Sequence, residues 1–377
     1  MPRTLAYANP DVLRWARESA GYSTHDAADR IGIRMYQLDM AEQGVDYLTL
    51  RQAEKAADVY ERPLAALFLP EPPREPPQEA QFRRLPGAPA PPWPAEMQLL
   101  ARRVRRRQDA AAELYEDLEE APPWRNAASS FSRADRATLP QTARELLGVT
   151  QAEQLAWAVD DEYAPLRGWI DAVEALGVLV MQDGSMPLDT MRGFASLDDT
   201  VPAIIVNNVD DPRARAFTVL HELGHLVFAA TDGPRNETRA NDFAGEVVMP
   251  TDWLEQELRA AGGESLLSRV NAVARRFGVT PLAAAVRIRR AGLAPRGEAE
   301  GAIAAIRARS KPEERRGAGQ YYYNTISKLG PSFIRLVLSA LDSQTVTYPT
   351  ASTLLGNVKV NHFETLRDYV ARRGDVR

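Results

Sequence analysis

The stretch FTVLHELGHLVF, from Phe217 to Phe228, places two of the chain's four histidines four residues apart, with a glutamate between them. Residues four apart lie on one face of an α-helix, so His221 and His225 can direct both imidazoles at one metal ion. Glu222 stands one position further round, where a carboxylate can accept a proton from water. The flanking residues are almost all apolar, which indicates a buried helix whose polar groups need a partner. This HExxH pattern predicts a zinc site with Glu222 as catalytic base.

A third protein ligand is expected in the next helical segment, ETRANDFAGEVVMP. The chain has no cysteine, so the candidates there are Glu237, Asp242 and Glu246. Glu237 lies on or next to the apolar face of this segment, whereas Asp242 points away from it. We therefore expect Glu237 as the ligand and keep Glu246 as the alternative. Asn241, four residues after Glu237, is expected to orient a histidine. A carboxylate that only stabilises the first turn of the helix is the structural alternative for Glu237.

Composition sets limits on the class of protein. The chain has 377 residues, is 45% hydrophobic and 26% charged, and carries a net charge of -5. These values are ordinary for a globular protein of two or three domains, and they give no overall basic surface for nucleic acid. The sequence has no apolar run long enough to span a bilayer, and MPRTLAYANP lacks the apolar core of a signal peptide. We expect a cytoplasmic protein without a membrane partner.

A β-branched strand, PAIIVN, precedes the histidine helix over Pro202–Asn207. Zinc peptidases commonly bind substrate as an added strand at a sheet edge, and this strand is one candidate for that edge. A strand in the middle of the core is the alternative reading. The sequence leaves both open.

The same residues resemble the ImmA/IrrE family of metallopeptidases. The likeness rests on MRGFASL, PAIIVNN, RARAFTVLHELGHLVF and ETRANDFAGEVVMP, in that order within 191–250. It implies His221 and His225 as ligands of one Zn²⁺ per chain, Glu222 as general base and Glu237 as the carboxylate ligand. The segments LTLRQAEKAADVY, RPLAALFLPEPP and FRRLPG are similar to the subgroup that fuses an Xre-type helix-turn-helix to this peptidase.

The resemblance and the helix pattern together predict an α+β, mostly helical protein with a zincin-like centre. The predicted divisions are a helix-turn-helix domain over 1–70, a proline-rich linker over 71–94, an arginine-rich connecting helix over 95–135, a peptidase domain with a small sheet over 136–300, a second linker over 301–320 and a small helical domain over 321–377. The arginines of the connecting helix are expected to form a solvated face, with phosphate binding as the alternative.

The N-terminal domain has two open readings. Its predicted recognition helix, IRMYQLDMAEQG, offers Arg34 and Gln37 to DNA or a partner, but also places Asp39 and Glu42 where they would repel phosphate. Over 9–69 there are 7 basic and 10 acidic residues, a balance of -3. Since affinity for DNA depends largely on phosphate neutralisation, this balance disfavours strong DNA binding by a monomer. A protein-interaction or homodimerisation module is the alternative.

These features predict a zinc-dependent regulatory endopeptidase. The family resemblance implies that its substrate is a specific partner such as an Xre-type repressor or an antitoxin, whose cleavage releases stress, DNA-damage or mobile-element genes. The alternative is a helix-turn-helix transcription regulator, or a toxin–antitoxin component, whose peptidase-like domain senses a ligand or partner without cutting.

Overall fold

The fold is taken from a computed structural model, which describes residues 4–74, 93–157, 161–230, 237–263, 265–309 and 321–374. These form two compact units, one comprising the described residues up to Arg105 and the other those from Arg106 onward. Most of the predicted proline-rich linker, including the FRRLPG segment, and residues 310–320 of the second predicted linker lie outside the described residues. Helix is the main secondary structure throughout, as the α+β, mostly helical prediction requires.

The first unit contains a bundle of short helices. These are α1 (Pro10–Ser19), α2 (Thr24–Ile31), α3 (Met35–Glu42) and α4 (Leu50–Tyr60), followed by a 3₁₀ turn (Leu64–Phe68) and the long helix α5 (Ala95–Asp117), whose residues up to Arg105 belong here. The side chains of Asn9, Ser23 and Thr49 accept backbone hydrogen bonds at the starts of α1, α2 and α4. Gly32 ends α2 with φ at 78°, a left-handed conformation that glycine adopts without strain.

The second unit begins within α5 and is also mainly helical. Before its sheet come α6 (Trp124–Arg133), α7 (Leu139–Leu147), α8 (Gln151–Trp157) and α9 (Ala164–Ala175). After it come α10 (Pro212–Ala230), α11 (Glu237–Val248), α12 (Thr251–Ala260), α13 (Leu266–Phe277), α14 (Pro281–Arg290), α15 (Arg296–Arg309), α16 (Tyr321–Leu329), α17 (Pro331–Asp342), α18 (Tyr348–Leu354) and α19 (Phe363–Gly374). Residues 301–309, which were predicted to belong to a linker, are therefore helical.

Three short strands, β1 (Leu179–Asp183), β2 (Gly193–Ser196) and β3 (Ala203–Asn207), form one sheet in the order β1-β3-β2. β3 runs parallel to β1 and antiparallel to β2. Every residue of the three strands is buried. The strand before the histidine helix is therefore the central one, and β2 forms an edge.

Gln108 of α5 fixes the end of the β2–β3 pair. Its buried amide donates to the carbonyls of Ser196 (3.2 Å) and Val201 (3.0 Å), and its carbonyl oxygen accepts from the Ser196 hydroxyl at 2.8 Å. Both ends of the side-chain amide are thereby directed at the turn between the two strands. The arrangement holds the edge strand in position.

The other edge of the sheet, β1, is covered by α16 and α17. In the parallel register, the carbonyl of Val180 points away from β3. A Cβ atom on Gly330, between α16 and α17, would lie 2.8 Å from that oxygen, and Gly330 has φ at 87°. Buried Glu174 of α9 accepts from the Ser332 amide at 3.0 Å, at the start of α17, and from Arg335 at 3.2 Å. β1 is thus closed off by packing rather than by another strand.

The arginines of α5 only partly form the predicted solvated face. Arg102 donates to the carbonyl of Tyr60 at 3.1 Å, and Arg107 donates to the carbonyl of Lys328 at 2.7 Å. Both side chains are half-buried, because the long guanidinium reaches carbonyls that the helix ends leave without intrahelical donors. For these two arginines both expectations, a solvated face and a phosphate site, are replaced by structural hydrogen bonds.

In the described ranges we find no helix that has both the length and the apolar character required to cross a membrane.

Candidate metal centre

Helix α10 carries the two histidines and the intervening glutamate in the interior of the second unit. His225 and Glu222 are buried, with only 1% and 3% of their surface exposed, and His221 is half-buried. A Cβ atom on Gly224 would lie 2.9 Å from the Phe243 ring and 3.4 Å from the Cα of Ala240. The glycine therefore lets α10 and α11 approach closely.

The close approach of α10 and α11 brings Glu237, the first residue of α11, against both histidines. Its Oε2 lies 3.1 Å from His221 Nε2, and its Oε1 lies 3.3 Å from His225 Nε2. One ligand atom from each of the three residues lies within 4.8 Å of the others. Within the described part of the chain, this is the one group of three or more histidines and carboxylates with such spacing.

The donor set and its spacing fit a metal ion. Two ligand atoms that each lie 2.0–2.1 Å from one tetrahedral Zn²⁺ are roughly 3.3 Å apart. The two separations between nitrogen and oxygen, 3.1 and 3.3 Å, are close to this value. The Glu237 side chain is 65% exposed, whereas those of His221 and His225 are 12% and 2% exposed. The group is therefore held from the protein side and opens toward solvent at the carboxylate, as a catalytic site requires.

Glu222 is placed against the edge strand of the sheet. The amide of Ala195 hydrogen-bonds to its carboxylate, and no hydrogen-bond partner within the described residues reaches its Oε2. A Cβ atom on Gly193 would lie 3.2 Å from Glu222 Oε1, 2.9 Å from the carbonyl oxygen of Ile205 and 2.6 Å from the Thr218 methyl. Glycine at this position leaves the space that the carboxylate occupies.

Burial has the largest effect on the pKa of both Glu222 and His221. It raises the pKa of Glu222 well above its usual value, and the negative charge of Glu237 raises this pKa further, while the Ala195 amide opposes the rise. Burial lowers the pKa of His221, against the opposing effects of Glu237 and of a hydrogen bond with Asn241. A lowered pKa keeps the imidazole neutral, which is the form that binds a metal.

Asn241 lies where the sequence places it, beside His221. The alternative ligand Glu246 is instead engaged elsewhere. Its carboxylate pairs with Arg287 and accepts from the Thr251 amide at 3.0 Å. Asp242 pairs with Arg290, so it too is turned from the histidines, as predicted. Of the three carboxylates on α11, Glu237 alone joins the metal-binding group within the described residues.

Of the two open readings of β3, a substrate-binding edge and a strand in the middle of the core, the structure supports the core strand. β3 is paired on both sides, so its backbone groups are used within the sheet. The Asn207 amide donates to the Arg192 carbonyl, so these two residues form a hydrogen-bonded pair of the antiparallel ladder. Because hydrogen-bonded and non-hydrogen-bonded pairs alternate, Gly193 and Ala195 point their amides and carbonyls away from β3. The edge beside Glu222 is therefore β2, which strand-forming residues alone did not identify.

The candidate contact residues of the N-terminal unit lie at the start of α3. Arg34 is exposed, whereas Gln37 is half-buried and its side-chain oxygen accepts from the Arg34 amide at 3.2 Å. Glu42 does not face outward as expected, because Arg17 binds it in a buried pair through bonds of 2.8 and 2.9 Å. Without this pair, 6 basic and 9 acidic residues remain over 9–69, again a balance of -3. Contact of Arg34 and Gln37 with DNA or a partner stays a prediction.

The part of the chain that contains the site matches a known protein family. Residues 173–289 match the model of the peptidase M78 family, described as the IrrE N-terminal-like domain. The matched region runs from α9 through α14 and includes the three strands. No curated protein and no solved structure gives a match. The comparison supports a peptidase domain here, and a metal is the cofactor that the family suggests.

Proposed function

We propose that the chain is a zinc-dependent endopeptidase in which His221, His225 and Glu237 hold the metal and Glu222 is the catalytic base. The observation that carries the proposal is the convergence of three ligand atoms within 4.8 Å beside a buried carboxylate. Two imidazoles and one carboxylate are a common ligand set of catalytic zinc. A structural pair between Glu237 and the histidines is the alternative, and metal analysis distinguishes the two.

Zinc, when bound, supplies Lewis acidity, which favours ionisation of water and polarises the scissile carbonyl. Glu222 takes the proton of the attacking water on its carboxylate and returns it to the leaving amine. A raised pKa suits a group that must accept a proton and then give it up again. The Ala195 amide and the space at Gly193 keep the carboxylate in one position during both transfers. Asn241 holds the His221 ring in the orientation that the metal requires.

The substrate peptide is proposed to lie along β2 as an added strand. The outward amide and carbonyl of Gly193 and the outward carbonyl of Ala195 can pair with an extended backbone, which is a common mode of peptide recognition, while the Ala195 amide binds Glu222. Because β2 has only four residues, its pairing accounts for a short contact. The selection of one protein must then depend on further contacts, which fits a regulatory rather than a digestive peptidase.

The partner is proposed to be an Xre-type repressor or an antitoxin, on the basis of the family resemblance of the sequence. The N-terminal unit is proposed to help recognise it. Two apolar side chains at the start of α3, Met35 and Tyr36, are 53% and 66% exposed, and residues 9–69 around them carry a net charge of -3. Exposed apolar and aromatic residues favour a protein contact, whereas the missing positive charge disfavours tight DNA binding.

The metal site is tested by the zinc content of the purified protein and three variants. We expect about one zinc per chain, lost in His221→Ala and Glu237→Ala, because three protein ligands are needed to hold it. Glu246→Ala is the matched control, since it removes a carboxylate from the same helix that pairs with Arg287 instead. Zinc retained in Glu237→Ala but lost in Glu246→Ala would contradict the assignment.

The catalytic step is tested with repressors and antitoxins encoded beside the gene, followed by mass spectrometry of the products. Zinc-loaded wild type is expected to cut one of them at a single bond. Glu222→Gln should retain zinc and lose roughly 10²–10⁴-fold in rate, because the amide cannot accept the proton. Equal cleavage by this variant would rule out Glu222 as the base. The non-cutting regulator would be favoured if the protein binds zinc and binds its own promoter tightly and in a salt-sensitive way, but cuts none of these candidates.

A further inference from the structure

A cavity of about 330 Å³ lies next to the metal centre within the second unit. Helix α10 supplies one wall through Ala214, Phe217 and Thr218, which precede His221 on the same helical face. At 1.5 Å per residue, these positions lie roughly 4–10 Å along the axis from His221. The cavity therefore begins one turn from the first metal ligand.

The second wall is a continuation of the other ligand-bearing helix. Asn241 and Gly245 line the cavity, four and eight residues after Glu237 on α11. Asn241 also contacts His221, and Thr218 lies against Gly193 on the edge strand. Two residues of the cavity lining, Asn241 and Thr218, thus touch His221 and β2 respectively. Helix α14 closes the far side with Leu282, Ala283 and Val286.

The charges around the cavity are already paired. Three arginines contribute to its lining, and each binds a carboxylate: Arg192 binds Asp210, Arg287 binds Glu246 and Arg290 binds Asp242. An incoming anion would have to compete with these carboxylates. An uncharged, apolar group that packs against α10 and α14 would not have to displace any of these carboxylates. The cavity therefore suits such a group.

The size of the cavity selects among apolar groups. A closed cavity of about 150 Å³ accommodates benzene in a well-studied protein, so 330 Å³ is enough for the side chain of leucine, phenylalanine or methionine. Alanine or glycine would leave most of the space unfilled. Burial of a large side chain would gain the hydrophobic free energy that a four-residue edge strand cannot provide.

We infer that this cavity is the specificity pocket of the proposed peptidase and binds a large apolar side chain next to the scissile bond. The inference rests on the proposed function. Antiparallel pairing, the slightly more stable arrangement, directs the C-terminal end of the peptide toward Gly193 and thus toward the cavity. Arg192, the residue before Gly193, lines the cavity, so the strand end and the pocket adjoin. The residue after the scissile bond is therefore the one selected.

The test uses succinyl hydroxamates, which ligate zinc and present one side chain on the C-terminal side of a mimicked scissile bond. Four compounds carry methyl, isobutyl, benzyl or carboxymethyl at that position, and calorimetry gives each dissociation constant with the full-length, zinc-loaded protein. Isobutyl adds three carbons to methyl, which should tighten binding by roughly 50-fold at the usual gain per buried carbon. Carboxymethyl should bind no tighter than methyl.

A pocket-filling variant separates the cavity from the metal centre. Ala283→Phe places a ring in the cavity and should reduce the preference for isobutyl over methyl to within a few-fold, while the methyl compound binds as it does to wild type. Unchanged binding of the methyl compound also shows that the variant is folded. Ala304→Phe, the same substitution at an exposed position of α15, is the control and should keep the full preference.

The outcomes distinguish the two proposals. Equal affinity for all four compounds, or tightest binding of carboxymethyl, would overturn the apolar pocket and leave the metal site in place. An unchanged preference in Ala283→Phe would overturn it as well. If the protein supplied with zinc binds none of the four hydroxamates, both the pocket and the proposed peptidase centre are overturned.

Discussion

The buried carboxylate of Glu174 should make the second unit less stable as the pH rises. Its side chain is fully buried, and burial raises its pKa from 4.5 to about 7, even though Arg335 and the Ser332 amide favour the ionised form. A carboxyl group with a raised pKa binds more protons in the folded state than in the unfolded state between these two values. Stability from this group is therefore complete below pH 4.5 and is lost as the pH rises toward 7.

The size of this effect follows from the shift. A difference of 2.5 units between about 7 and 4.5 corresponds to about 3 kcal/mol of unfolding free energy in all, of which about 2.5 kcal/mol is lost between pH 5 and pH 8. Glu174→Gln keeps the shape and an oxygen acceptor for the Ser332 amide but cannot ionise. The variant and the wild type should be similarly stable at pH 5, and the variant should be about 2.5 kcal/mol more stable relative to wild type at pH 8.

The assay is urea unfolding of both proteins, followed by tryptophan fluorescence at pH 5, 6, 7 and 8. Chelator in every sample removes metal-dependent contributions, and comparison with the variant cancels the titration of every other group, including Glu222. Parallel stability profiles for the two proteins across this range would refute the reasoning. A difference that grows toward low pH would show that the carboxylate is the stabilising form.

Three further outcomes are expected. Asn241→Ala should weaken zinc binding by roughly 10–100-fold in competition with a chromophoric chelator, because the His221 ring loses its orienting contact, and unchanged affinity would remove Asn241 from the site. Gly193→Ala should cost about 1–3 kcal/mol of stability in urea unfolding, since its Cβ would collide with the Ile205 carbonyl, and a neutral result would mean that the strand shifts freely. Arg144→Met should cost about 2–4 kcal/mol in the same assay, because it leaves the carbonyls of Val149 and Val247 buried without this donor; stability equal to wild type would show that other groups satisfy them.

The sequence is most informative where the deciding interactions are local. Helical periodicity places His221 and His225 on one face, and the same argument on the next helix selects Glu237 and Asn241. The structure brings these four residues together. The observed α11, Glu237–Val248, falls within the predicted helical segment ETRANDFAGEVVMP, because Pro250 limits the helix at a position that can be read directly.

The sequence is less informative where distant segments meet. Strand order depends on pairing between segments up to 24 residues apart, such as Leu179 with Ala203, so the central position of β3 could not be read from its β-branched residues. Glu246 was kept as an alternative ligand because Arg287, its partner 41 residues away, is not visible in the local pattern. The cavity beside the metal centre has the same origin, since its walls come from three separate helices.

The covered edge of β1 has a consequence for how this protein can change in evolution. A gene fusion that exchanged the last helices would have to supply a residue without a side chain at the place of Gly330, to clear the Val180 carbonyl. It would also need a backbone amide at a helix start, or a cationic side chain, to bind the carboxyl group of Glu174. Few unrelated modules would satisfy both demands at once. The C-terminal helices are thus expected to be inherited together with the part of the chain that carries the candidate metal centre, whereas a segment without such contacts can be replaced more freely.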